Sequence, residues 1–226
     1  MSPAGAYTAV LCVLAAANVC GNLWLPAWTY VPVNLAAGAS VLLVARAGGA
    51  TTGDLGLERQ RLRRGLLVGT LAMAAVGIAI ALAVAIPATR GFFEDERATE
   101  VGVGLLLYHA LLRIPLGTAA FEELAFRGVL LGLGRRLWRT RTAVIWSSVL
   151  FGLWHVLPAT TLASANAQIA GVNVVLTVTA GVAATIAAGV LLALIRLHSN
   201  SLAAPVLAHV ATNSFAFAAA WILFQS

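Results

Sequence analysis

Residues 66–86 run for 21 positions without a charge, and six further stretches of the chain are predominantly apolar: 6–25, 31–45, 101–134, 143–157, 168–195 and 202–224. About 20 such residues cross the hydrocarbon core of a bilayer as an α-helix. The runs are continuous and do not alternate with period two, which excludes an outer-membrane barrel. They predict an all-α, polytopic transmembrane helical bundle of about seven spans, with little mass outside the membrane.

Composition supports this. Only 10% of residues are charged, 61% are hydrophobic and mean hydropathy is +0.93, against about 25% charged in a soluble domain. All 14 basic residues are arginine, and net charge is +6. A nucleic-acid-binding protein would gather them on a basic face. Here they sit between apolar runs, where orientation signals belong. Arg46 to Arg64 supplies five, Arg135 to Arg141 four, and Arg196 one more. All three groups fall on one side if seven spans alternate, which makes that side cytoplasmic, with the N-terminus inside and the C-terminus outside. The acidic loop 88–100 and the small, polar linker 159–167 fall on the other side. Cys12 and Cys20 lie about 12 Å apart along one helix, too far for a disulfide.

The run 101–134 would reach about 51 Å as one straight helix, so Pro115 and Gly117 are expected to break or kink it. The part before them, with Tyr108, His109 and Arg113, is expected near the outer surface. The part after them holds Phe121-Glu122-Glu123-Leu124-Ala125-Phe126-Arg127. An ionised side chain at bilayer depth costs at least a few kcal/mol unless it faces protein or water, so three within six residues demand a purpose.

Two later spans are interrupted in the same manner. Phe151-Gly152-Leu153-Trp154-His155 puts an aromatic and an imidazole four apart, and His209-Val210-Ala211-Thr212-Asn213 does so for an imidazole and an amide. Residues four apart share a helix face. Counted from the arginine side, Glu122 and His155 both lie about 20 Å deep, and His209 and Asn213 about 12 and 18 Å. Polar groups from three helices thus fall in one slab. A carboxylate with an imidazole can deprotonate water, and a second imidazole with an amide can stabilise an oxyanion. Glu123 and Arg127 should pair on one face, leaving Glu122 free.

The ordered trio Glu-Glu-x-x-x-Arg, Phe-x-x-x-His and His-x-x-x-Asn, flanked by Phe126-Arg127-Gly128 and Phe151-Gly152, resembles the CPBP family of intramembrane proteases (CAAX protease and bacteriocin-processing, or Abi), which includes the type II CAAX prenyl endopeptidases. The resemblance covers about residues 111–217. It implies an intramembrane, glutamate-dependent endopeptidase in which Glu122 and His155 activate water and His209 and Asn213 hold the oxyanion, supported by Glu123 and Arg127. It further implies a catalytic membrane domain over 101–226, preceded by helices in 1–100 of unassigned role. The substrate would be a membrane-associated peptide or protein in the lipid bilayer. Phe126, Phe151 and Trp154 are substrate-cavity candidates, although wall packing explains them as well. His109 and His198 are read as non-catalytic.

Other readings of these residues stay open. The charged cluster could glue helices together. No cofactor is expected, but zinc remains the chemical alternative, held by two histidines and a glutamate; similar proteins have been described as metalloproteases. A non-proteolytic scaffold or bacteriocin-immunity protein of the same family, and a proton-coupled transporter, complete the set.

Overall fold

A computed structural model describes residues 1–93, 101–165 and 173–225, with the side chains of 161–165 left aside. The described residues contain helices and no strand. The membrane helices are α1 (Pro3–Leu23), α2 (Tyr30–Ala47), α3 (Arg59–Ala85) and α4 (Val103–Leu137). After them come α5 (Thr140–Trp154), α6 (Val156–Ala165), α7 (Val174–Ser199) and α8 (Ala203–Gln225).

Among the described residues, six helices are long and apolar enough to cross a membrane, where the sequence predicts about seven spans. The difference lies in the run 143–157. Its helix α5 has 15 residues, about 22 Å, and the chain leaves helical geometry at His155 before resuming as α6. The linker expected at 159–167 is therefore helical as far as Ala165, and its last two residues lie outside the described part. So does most of the acidic segment, with Glu94, Asp95, Glu96, Arg97 and Glu100. The helix α3 begins at Arg59, seven residues before the apolar run, because arginine is a good helix former whose stem covers apolar surface while its head reaches water.

The three arginine segments do gather at one end of the bundle. Arg136 donates to the Gly49 carbonyl, and Arg196 Nη2 donates to those of Gly53 and Asp54 at 3.2 Å each. The Met1 ammonium lies there too, donating to Ala47 O at 3.2 Å. Gly56 turns the chain with φ +72°, and its missing Cβ leaves room for the buried Arg196 guanidinium.

Glycine sets the close approaches. Along α3, Gly65 faces Ser201 and Gly69 faces Ala204, so α3 and α8 run parallel from the arginine end. Gly152 lets α5 lie against Ile186 and the Val182 carbonyl of α7, while Thr140 and Leu197 border one crevice, so that pair is antiparallel. One apolar cluster joins α1 and α2 (Tyr7, Val10, Leu14, Val41) to Phe121, Phe126, Val129, Leu130 and Phe151. The first two helices thus share the core of the site-bearing ones.

Candidate active site

Helix α4 carries the Glu-Glu-Arg stretch, and it is neither broken nor sharply stopped at Pro115. Residues His109–Ala120 are π-helical, Phe121–Glu123 are α-helical, and Leu124–Leu130 are π-helical again. In a π turn each N–H bonds five residues back, and such turns gather at functional sites. Proline at 115 has no N–H to offer Ala110, the carbonyl five positions earlier. Ser214 Oγ of α8 donates to it instead, at 2.9 Å. Asn34 Nδ2 of α2 donates to Gly117 O at 2.8 Å, and Tyr30 Oη lies 3.0 Å from Thr118 Oγ1. Arg113 rests over the Tyr30 ring, 4.1 Å from its centroid. These partners let the chain continue, so of the break or kink expected at Pro115 and Gly117 the break does not occur.

Glu122, Glu123 and Arg127 are all buried. Arg127 Nη1 donates to Glu123 Oε1 at 2.9 Å, the pairing their spacing predicts. Its guanidinium also lies over the Phe151 ring, 3.9 Å from the centroid. Glu123 Oε1 has a second partner that sequence reasoning does not reveal, His209 Nδ1 at 2.8 Å. Glu122 is held differently. Its Oε1 accepts from the Trp154 indole Nε1 at 3.0 Å. Its Oε2 accepts no hydrogen bond among the described residues, and lies 3.8 Å from both His155 Nε2 and His209 Nε2.

His155 is the residue at which α5 ends, with φ −89° and ψ 1°. Its Nδ1 lies 2.8 Å from the Phe151 carbonyl. A carbonyl only accepts, so Nδ1 carries the hydrogen and Nε2 is the nitrogen turned to Glu122. His209 Nε2 lies 3.2 Å from Asn213 Nδ2. Glu122, His155, His209 and Asn213 therefore meet in one place. Phe126 and Phe151 are interior, packed edge-to-face at 5.1 Å between centroids, and Phe126 meets Trp154 at 5.9 Å. They form the wall behind the polar groups. His109 packs on Phe217, with ring centroids 5.2 Å apart.

Sequence reasoning misses the hydrogen-bonding role of Trp154 and the asparagines Asn18 and Asn34. The signal is present: strongly polar amides inside the first two apolar runs are costly unless bonded within the protein. A catalytic zinc takes three protein ligands at about 2 Å. Among the described residues, no group of three or more His, Cys, Asp or Glu side chains is arranged to hold a metal ion. His209 Nδ1 and Nε2 already face Glu123 and Asn213. The side chains as placed do not fit such a site.

Fold and site together define a multi-pass helical membrane protein with carboxylates and imidazoles converging inside its bundle. Residues 104–215 match the family model described as type II CAAX prenyl endopeptidase Rce1-like. Through that region the chain belongs to this family of membrane proteases. A search of curated proteins and a search of solved structures each gave no match.

Proposed function

We propose that the chain is a glutamate-dependent intramembrane endopeptidase, hydrolysing a peptide bond of a membrane-associated peptide or protein. The observation that carries this reading is the approach of Glu122 Oε2 to two imidazole Nε2 atoms at 3.8 Å each. A water can bridge a carboxylate oxygen and an imidazole nitrogen at that separation, at about 2.8 Å from each. Glu122, assisted by His155, takes a proton from this water as its oxygen attacks the scissile carbonyl carbon. The new C–O bond pushes charge onto the carbonyl oxygen, where the Asn213 amide and His209 donate to it. Glu123, bonded to His209 Nδ1, supports the imidazolium that such donation requires. Collapse breaks the C–N bond, and Glu122 returns the proton to the leaving amine.

The scheme routes no step through a metal. Residues 101–226 carry the chemistry, and 1–100 brace it. The arginine end faces the cytoplasm by the positive-inside rule, which puts the N-terminus inside and the C-terminus outside.

The test uses purified protein in liposomes, with substrates identified by terminal peptide mapping of membranes that contain or lack it. Glu122→Gln and His155→Ala should each lower turnover by about 100-fold or more while leaving a folded, membrane-inserted protein. Chelator should leave the wild type fully active. Wild-type turnover in both variants would sink the enzyme reading and favour a scaffold or immunity role.

A further inference from the structure

Asn18 lies in α1, outside the family-matched region, and is buried at 9% exposure. Its Nδ2 donates to the main-chain carbonyl of Trp154, 136 residues away, at 2.8 Å. That carbonyl belongs to the last residue of α5, among the helix-end acceptors that no intrahelical N–H satisfies. Asn22 Nδ2 donates to both Asn18 O at 2.8 Å and Asn18 Oδ1 at 3.2 Å. An Oδ1 so engaged leaves Nδ2 as the atom facing Trp154, which fixes the Asn18 amide.

Trp154 carries the contact onward. Its indole N–H reaches Glu122 Oε1, and the next residue in the chain is His155. An indole N–H can only donate, so it holds one carboxylate oxygen and turns the other, Oε2, toward the two imidazoles. Pro158, four residues on, has no N–H to offer that carbonyl, so the Asn18 bond holds the end of α5, and the imidazole of His155 leaves from the next residue. One residue therefore fixes both members of the pair that would share the water.

We propose that Trp154 and Asn18 are positioning residues, through which the first membrane helix sets the geometry of Glu122 and His155. The proposal rests on the reading of Glu122 and His155 as the water-activating pair. It assigns the N-terminal helix a part in the chemistry beyond shared packing. An interhelical hydrogen bond in a membrane is worth only about a threefold shift in an equilibrium. Displacing a reacting group by about 1 Å costs about 100-fold in rate. The two roles differ enough to measure.

The experiment compares the wild type with Trp154→Phe, Asn18→Leu and Glu122→Ala in nanodiscs. The activity probe is a fluorogenic peptide bearing a farnesylated CAAX tail. Trp154→Phe keeps an aromatic ring against Phe121 and Phe126 and removes the N–H donor with the smaller part of the indole. It should lower kcat by about 10- to 100-fold, and Asn18→Leu by about tenfold, with KM within about twofold for both. The second readout needs no substrate: the 15N indole resonance of Trp154, assigned among the six tryptophans by its loss in Trp154→Phe. It should move toward a free indole in Glu122→Ala and shift measurably in Asn18→Leu.

A merely structural Asn18 would lower the folded fraction without changing kcat per folded molecule or the indole resonance, and either result overturns the proposal. If the probe is not cleaved, the resonance decides: no movement in Asn18→Leu overturns it, and movement supports it. Full turnover in Glu122→Ala defeats the underlying reading instead, a result distinct from both.

Discussion

Glu123 is the most demanding residue to replace, and the size of the effect can be worked from its contacts. It is wholly buried, and its Oε1 takes hydrogen bonds from Arg127 at 2.9 Å and His209 at 2.8 Å. Glu123→Leu strands the Arg127 guanidinium, itself 1% exposed. Removing one partner of a buried ion pair costs about 3–5 kcal/mol. The face of Phe151 remains beneath the cation and offsets about 1 kcal/mol. The unbonded His209 Nδ1 adds about 1–3 kcal/mol, so the net loss is about 3–7 kcal/mol. Arg127→Met strands Glu123 in turn, at about 3–5 kcal/mol.

The double variant removes both charges, and only the share of His209, about 1–3 kcal/mol, should remain. The singles therefore fall short of additivity by at least about 3 kcal/mol, the mark of direct coupling. Unfolding by sodium dodecyl sulfate in mixed micelles, followed by loss of helicity, measures all four corners of the cycle. A double variant as unstable as the two singles combined would refute the pairing.

Two further perturbations test the local structure. Ser214→Ala should cost about 1 kcal/mol by unbonding the Ala110 carbonyl, and less in a Pro115→Ala background, where a restored N–H can serve the same acceptor; equal losses in both backgrounds would show that the two residues do not share it. Gly152→Ala places a Cβ against Ile186 and 3.1 Å from Val182 O, an overpacking of about 1–3 kcal/mol that Ile186→Ala should relieve in the same unfolding assay.

The polar trio was legible because charge and imidazole inside apolar runs have few explanations, and helical rise alone put Glu122 and His155 at one depth. Arg127 with Glu123 followed from spacing, since both partners lie on one helix. The bond from His209 to Glu123 did not, because spacing carries no information about contact across helices. Hydropathy located the apolar slab well but helix ends poorly. The segment 59–65, read as loop, is helical, because hydropathy registers where arginine heads meet water while the backbone stays helical. Hydropathy also made one span of 143–157, since a break at His155 leaves no mark on apolarity. Pro115 misled for a related reason: the sequence shows the missing N–H, but not the hydroxyl of Ser214 that compensates for it.

The wide-turned segment 109–120 gives α4 a slack in length. A π turn accommodates one residue more than an α turn, so losing a residue there can be absorbed by local tightening, with Glu122 and Glu123 still facing inward. The same deletion within Leu131–Leu137, where the bonding is already α-helical, would rotate Arg135 and Arg136 by about 100° relative to the glutamates. Length changes among relatives of this chain should therefore collect in the π-helical stretches of α4 and spare Leu131–Leu137.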